Sequence, residues 1–497
     1  MMLTTWVISI WVARQLGPDN YGVFSLVLWL TGTISWLAGM GLIHAVTKFI
    51  AEYQGKGEKE NFTPIVIYVL KIELIITLST TLVLLFFTAQ IADYFFSPKQ
   101  SIFFFIAVIG LIPGMVTAVF SAAIEGIQRF QYFTWSNLIL SPVSFAAKVI
   151  VLMLGRGTVG LLVVMLVFSF INCVFYYVIL RKEGFFGKGT IRKRLDGTIK
   201  ENILQYNRSI LTILLCDKVV WDKSENFFLG RLCSSQEVGF YNLGFNIAQR
   251  FITILPSTLW RVLFPAMSSY FGSDNREKMR RLFFLSTRYL AFVTFPIGMA
   301  GIILAYEILH FLYGHQYIGA QRVLQIIFAG SMISTLSQPA SAVLYGFNKQ
   351  AFIYKFGAVL AVFNLLLDFL IIKRFGATGA ALCYGITTAI ASTGGLIYTC
   401  KIMKLPYPVV SLSKIFFATV MMAIVMEIII IHNGGIPGFI LSIAAGTIVY
   451  LVSSLVLGTF EQEDYDLLKT IANLAPGYTR SLFEMVGKLI MQFKSGT

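Results

Sequence analysis

At 497 residues, the chain is 57% hydrophobic and only 13% charged, with a mean hydropathy of +0.77. A soluble domain carries about a quarter charged residues, so a soluble globule is excluded and lipid must be the solvent for most of the chain. The net charge of +15 does not point to nucleic acid. Its basic residues fall in short loops between apolar spans, where they set topology and meet anionic lipid headgroups.

The first residues, MMLTTWVISIWVA, lack a basic n-region and a cleavage site, so they read as a transmembrane helix rather than a cleaved signal. At about 1.5 Å per residue they reach about 20 Å, short of the roughly 30 Å hydrocarbon core. Apolar segments then recur at 1–13, 21–50, 63–90, 101–124, 132–154, 158–181, 205–230, 236–268, 283–306, 320–346, 350–372, 376–400, 413–432 and 435–457. The pattern predicts an all-α polytopic membrane protein with about fourteen spans. Sorting the loop cations by side puts sixteen, among them Lys56, Arg129, Arg192, Lys193, Arg194, Arg280 and Arg281, on the side of the termini. Seven lie opposite: Arg14, Lys99, Arg156, Arg231, Arg322, Lys373 and Arg374. That excess predicts both termini in the cytoplasm of a multi-pass protein of the cytoplasmic (inner) membrane. The longest and most basic loop, RKEGFFGKGTIRKRLDGTIKEN, reads as a linker. After Phe460, apolar residues at helical spacing (Leu467, Leu468, Ile471, Leu474, then Phe483, Val486, Ile490) predict interfacial amphipathic helices. Five cysteines without a CxxC pair and four scattered histidines argue against a disulfide framework and a zinc centre.

The chain also repeats itself. RQLGPDNYGVFSLVLWL from Arg14 has a counterpart in RLCSSQEVGFYNLGFNI from Arg231, and the charged loop AEYQGKGEKENF has one in SSYFGSDNREKM. EGIQRFQYF from Glu125 matches YGFNKQAFI from Tyr345, and GTVG from Gly157 matches GATG from Gly376. The offset stays near 220 residues and covers six spans. An even number gives both copies the same orientation, a parallel repeat about an axis along the membrane normal. The expected organisation is a six-helix lobe at 1–181, a basic linker at 182–204, a second six-helix lobe at 205–400, two additional helices at 401–460 and an amphipathic tail at 461–497. Rocking of two such lobes gives alternating access to a path between them.

The strings ARQLGPDNYGVFSL and GMGLIHAVTKFIAEY, with EVGFYNLGFNIAQ in the second copy, resemble the polysaccharide-biosynthesis transporter family. That family includes the Wzx-type oligosaccharide flippases and belongs to the superfamily of the lipid II flippases and the MATE exporters. The paired arginines that lipid II flippases carry in the first helix are absent; Arg14 stands alone at its end. The resemblance implies translocation of a polyprenyl pyrophosphate-linked oligosaccharide, whose lipid tail stays in the bilayer while its polar part crosses a cavity. It also implies partners among the glycan polymerase and glycosyltransferases of the same pathway.

Ionisable residues within spans are costly and mark function by default. In span seven, Asp217, Lys218, Trp221, Asp222 and Glu225 fall within an arc of about 140° of a continuous helix, with Lys223 off it. That face must line a cavity or join a structural ion network. Asn364 and Asp368 lie one turn apart in span eleven and offer hard oxygen ligands to Na⁺ or a protonatable site. By resemblance to the lipid II flippases they match the Asn-xxx-Asp pair of a sodium site, with Asp222 or Glu225 as the span-seven carboxylate. A pyrophosphate needs cations; the candidates are Arg250, Arg261, Lys218 and Lys148. Lys48, Arg288 and Lys355, near cytoplasmic helix ends, are expected to snorkel. Lys71 and Glu73 are two apart, hence on opposite faces, with no joint role. Beyond Na⁺ or H⁺ as coupling ion, no cofactor is expected.

An ion-coupled multidrug exporter of the same architecture is the competing transporter and predicts an acidic or aromatic cavity. A membrane enzyme would need a long extracytoplasmic loop carrying a catalytic constellation, and the sequence offers none.

Overall fold

A computed structural model describes residues 2–39, 41–187, 195–208, 223–347, 349, 351–461 and 464. Within them the chain is helical from end to end: α1 (Met2–Gly39), α2 (Leu42–Gly55), α3 (Phe62–Phe86), α4 (Thr88–Phe95), α5 (Ser101–Ile109), α6 (Leu111–Gly126), α7 (Gln131–Met153), α8 (Gly157–Lys182), α9 (197–208), α10 (Glu225–Leu232), α11 (Ser235–Gly272), α12 (Arg276–Ile303), α13 (Ala305–Ile308), α14 (Gln321–Thr335), α15 (Gln338–Gly346), α16 (Ala351–Met403), α17 (Val409–His432) and α18 (Gly435–Val456). An all-helical architecture is what lipid requires, since each backbone N–H and C=O then finds its partner within one segment.

Among the described residues, nine helices are long and apolar enough to cross a membrane, or eleven when two bent pairs are each taken as one span. The expected boundaries blur for identifiable reasons. α1 runs through the first predicted span and into the second, whose last part forms α2, and it breaks inside at Gly17, whose φ of 73° and ψ of 166° are not helical. α16 takes in predicted spans eleven and twelve and breaks at Gly376, with φ 55° and ψ −136°. Its repeat partner Gly157 adopts φ 52°. A residue with a Cβ resists that half of φ space, so GTVG and GATG mark the same turn. Leu138, Ile139, Ile150 and Met153 on α7, Val163, Val167 and Val174 on α8, and Ile424, Ile428 and Ile431 on α17 are all exposed. Such apolar exposure suits acyl chains, and it confirms the polytopic membrane class.

The chain divides into two compact units, one of residues 1–242 and 365–377, the other of 243–364 and 378–497. In the first, a buried cluster joins α2, α3, α6, α8 and α9, and includes Val46, Ile50, Phe62, Val66, Phe120, Ala122, Ala123, Ile127 and Phe185. In the second, the corresponding cluster consists of Leu263, Met267, Met279, Phe283, Ala340, Ala342, Val343, Phe347 and Leu405. In the registers set by Arg14/Arg231 and Glu125/Tyr345, each of the first eight is the repeat partner of the residue in the same place of the first series, and Leu405 lies one position from the partner of Phe185 in the register of Gly157/Gly376. Gly126 lies against Ile50, and Gly346 against Met267: a Cβ on either glycine would come within 2.7 and 2.8 Å of that neighbour's Cβ. The duplication therefore repeats the packing as well as the sequence.

The amphipathic turns of the basic linker have a definite place. Leu195, Ile199 and Ile203 are buried in the first cluster, so this part of the linker is a helix laid on that unit. Lys48, on α2, sets its ammonium 4.2 Å from the Tyr206 ring centroid, a cation–π contact. Arg288 departs from expectation. It is buried, with Nη1 2.6 Å from Glu461 Oε1 and Nη2 paired with Asp464, and the Tyr289 hydroxyl donates to Asp464 Oδ1 at 2.7 Å. Snorkelling fails because the chain just beyond α18 brings two carboxylates to the guanidinium, which removes the need to reach water.

Candidate functional site

The first unit contains a buried polar cluster built on the entry to α10. The described chain resumes at Lys223, and α10 begins at Glu225 with Ser224 as its N-cap. Lys223, expected off the charged arc, sends its Nζ to Asn242 Oδ1 at 3.4 Å. Asn226 and Asn242, both buried, pair through their amides: Asn242 Nδ2 donates to Asn226 Oδ1 at 2.7 Å and Asn226 Nδ2 to Asn242 Oδ1 at 3.4 Å. Asn242 Nδ2 also donates to the Val238 carbonyl one turn back, at 3.0 Å. Ser224 Oγ donates to Asp368 Oδ2 at 2.8 Å, and Asp368 is fully buried, as is nearly all of Glu225.

Two hydrogen-bonded groups thus flank the entry to α10 in this unit: Ser224 with Asp368, and Lys223 and Asn226 with Asn242, with the buried Glu225 between Ser224 and Asn226 in the chain. Burying a carboxylate requires hydrogen bonds, and Ser224 supplies one to Asp368. The oxygens of Asp368, Glu225, Asn226 and Ser224 are hard donors of the type that hold a proton or a small cation. Of the residues singled out from sequence, Asp368 is bonded to Ser224, and the buried Glu225 follows Ser224 in the chain. Ser224, Asn226 and Asn242 were missed, and Lys223 was set aside. The dense polar string DKSEN was the available signal.

In the second unit, Asn364 Oδ1 accepts from Thr387 Oγ1 at 2.6 Å. Gln249 Nε2 donates to the Tyr384 hydroxyl at 2.6 Å and approaches Ser331 Oγ at 3.4 Å. Its neighbour Arg250 is half-buried on the first part of α11, with no ion pair among the described residues, whereas Arg261, beyond the bend near Pro256, is exposed. In the first unit, Lys148 is half-buried on α7, also without an ion pair among the described residues. Asp217, Lys218, Trp221 and Asp222 lie outside the described residues. A cavity of about 280 Å³ opens between α1, α5, α6 and α8 in the first unit, where Thr31, Ser35 and Ser169 bring hydroxyls and Gly32, Gly110 and Gly114 leave the space. Nothing in the spacing of those small residues announced it.

Comparison with known proteins agrees with this architecture. A membrane protein from the cps region of Klebsiella pneumoniae is 27% identical over 163 residues, 33% of each chain. The probable flippase AglR of Haloferax volcanii is 24% identical over 236 residues, 46% of this chain and 48% of the relative. The matched parts therefore span about a third and about a half of these relatives' lengths. Among solved structures, the lipid II flippase MurJ in an inward closed conformation superposes with a TM-score of 0.70 at 16% identity, over 92% of this chain and 98% of the other; at that identity the likeness is one of fold. The model of the polysaccharide biosynthesis protein family matches residues 11–322, well over half of the chain. The chain belongs to the polysaccharide biosynthesis protein family.

Proposed function

We propose that the protein is a flippase carrying a polyprenyl pyrophosphate-linked oligosaccharide from the cytoplasmic to the outer leaflet of the cytoplasmic membrane by alternating access. Family membership supports the class, as do the relative named as a flippase and the fold shared with a lipid II flippase. The observation that carries the substrate class is Arg250, a half-buried guanidinium in a membrane helix without an acidic partner among the described residues. A guanidinium at that depth is costly, and its fork of donors suits a pyrophosphate. Lys148 and Arg261 are the further cations of this reading, with Lys218 if it faces the same path. Asp368, bonded to Ser224, and the buried Glu225 are the coupling residues for H⁺ or Na⁺ in this reading, and Asp217, Asp222 and Asn364 are the remaining candidates. Both termini lie in the cytoplasm, where the basic loops face anionic lipid. The substrate is made and consumed by glycosyltransferases and a polymerase, and the protein itself makes no bond.

Transport of a fluorescent lipid-linked oligosaccharide in proteoliposomes tests the proposal, with Arg250→Ala and Asp368→Asn beside wild type. Both variants are expected to slow transport at least tenfold. Normal rates in both would sink the site assignment. A wild type that moves cationic drugs but no lipid-linked glycan would sink the substrate class.

A further inference from the structure

The inward face of α3 carries a polar stripe that neither the repeat nor the proposed substrate accounts for. Glu73, Thr77 and Thr81 follow one another at single-turn spacing and are 0%, 2% and 3% exposed. Both carboxylate oxygens of Glu73 and the hydroxyls of Thr77 and Thr81 are buried without a hydrogen-bond partner among the described residues. Lys71, on the opposite face, is exposed, as are Ile75, Leu82 and Phe86, so the helix turns its apolar side outward and its acid inward. The stripe lies between two apolar clusters on the same helix, one containing Val69 and the other Leu84 and Leu85.

Two comparisons within the molecule show that this arrangement is not a demand of the fold. In the repeat register, Glu73 corresponds to Leu290, which is also fully buried; the position accepts a plain apolar side chain. Thr77 corresponds to Thr294, whose hydroxyl donates to the Leu290 carbonyl at 2.7 Å. That bond to the carbonyl four residues back is the usual one here: Thr31, Thr88, Thr287 and Thr419 make it too. Thr77 and Thr81 do not, and leave their oxygens facing the interior with Glu73. A membrane helix keeps such unsatisfied groups when something other than the protein occupies them.

The elements packed on α3 include α1, α2, α4, α5, α6, the turn Lys59–Asn61 and, at Tyr68, α9. Their titratable groups are Arg14, Asp19 and Tyr21 on α1, His44, Lys48, Glu52 and Tyr53 on α2, Lys59 and Glu60 on the turn, Asp93 and Tyr94 on α4, Glu125 on α6, and Lys200, Glu201, Tyr206 and Arg208 on α9. α5 has none. None of these makes an ion pair or hydrogen bond to Glu73, so no charge among the described residues balances an ionised carboxylate there.

We propose that Glu73, with the hydroxyls of Thr77 and Thr81, is a site for an exchangeable proton in the first unit, separate from the cluster at Asp368. A proton fits where these four oxygens are closed in by side chains, because it needs no coordination shell of its own. Glu73 holds it while the helices are packed as they are here and releases it when they open, the threonine hydroxyls offering the next acceptors along α3 toward Leu84. The opening step rests on the transport reading; the site does not.

Infrared difference spectroscopy of the full chain in lipid nanodiscs, recorded between acid and alkaline buffer, tests this without any transport assay. Wild type is expected to lose a carboxylic-acid carbonyl band as pH rises. Glu73→Gln and Glu73→Leu should lack that component entirely, and Thr77→Val should shift its frequency. Glu73→Leu recreates the repeat partner and is expected to fold, which keeps the comparison open if Glu73→Gln does not. Identical difference spectra for wild type and Glu73→Leu overturn the proposal, and so does a Glu73-dependent band that ignores pH. A band lost at fixed pH on adding sodium chloride, but not choline chloride, would assign the site to a metal cation and equally overturn it.

Discussion

Gly22 and Gly239 face each other backbone to backbone in the first unit, although one lies in each copy of the repeat. A Cβ on Gly22 would sit 1.7 Å from the Ser235 carbonyl oxygen, and one on Gly239 would sit 2.2 Å from the Pro18 carbonyl oxygen. Pro18 and Ser235 are themselves repeat partners, so the approach is reciprocal, as across a local two-fold axis.

Gly22→Ala and Gly239→Ala should therefore each destabilise the protein by roughly 1–3 kcal/mol, because the obstacle is backbone and cannot swing aside. Gly32→Ala, with nothing within 4 Å of its Cβ, should be near neutral. Thermal melts in detergent followed by tryptophan fluorescence give the comparison. Equal melting temperatures for Gly22→Ala and Gly32→Ala would show that the two segments are not held this close.

The ion pair of Arg288 with Asp464 is buried on both sides, whereas Glu461 is 41% exposed. Arg288→Ala strands the Asp464 carboxylate and should cost about 3–5 kcal/mol. Asp464→Asn keeps the hydrogen-bonding shape and should cost less. Replacing both with Arg288→Met and Asp464→Leu should recover part of the loss. A single-variant Arg288→Ala melt that matches wild type would mean the segment after α18 is not anchored on α12.

The amide pair Asn226–Asn242 invites a double-mutant cycle. Asn242→Leu alone leaves a buried amide without its partner, at about 1–3 kcal/mol. The double variant with Asn226→Leu should fall short of additivity by roughly 0.5–3 kcal/mol, as for groups in one network. Strict additivity in urea or thermal melts would separate the two side chains.

Glu307 sits just past the end of α12, with Oε2 buried and without a partner. Burial pushes its carboxyl above the ordinary carboxylate range, the nearby Glu427 adds to the rise, and a backbone hydrogen bond and His310 oppose it. An acid whose folded pKa lies above its unfolded one contributes stability that is fully present below the unfolded value and is lost as pH climbs through the folded one. Melting temperature should thus decline from mildly acid toward neutral pH, and Glu307→Gln should flatten that part of the profile. An unchanged slope in the variant would assign the pH dependence elsewhere.

Several of these features show where sequence reading stops. The opposition of Lys71 and Glu73 follows from helical spacing, and the structure bears it out. That Thr77 withholds its hydroxyl from the backbone does not follow, because Thr294 at the same repeat position does the reverse. The hydrogen bond from the Lys223 ammonium to Asn242 follows from no spacing on one helix, because the two residues lie on different segments. Ser224 and Asp368 stand 144 positions apart and Arg288 and Asp464 176, a separation at which no spacing rule operates.

The membrane class, the all-helical architecture and the internal duplication were determined by the sequence by itself. In lipid, backbone groups must be satisfied within each segment, so the information that makes a span is local and hydropathy exposes it. Which polar side chains meet inside the units was decided by tertiary structure alone. Those meetings depend on where packing brings distant turns together, and on whether each buried donor or acceptor finds a partner there.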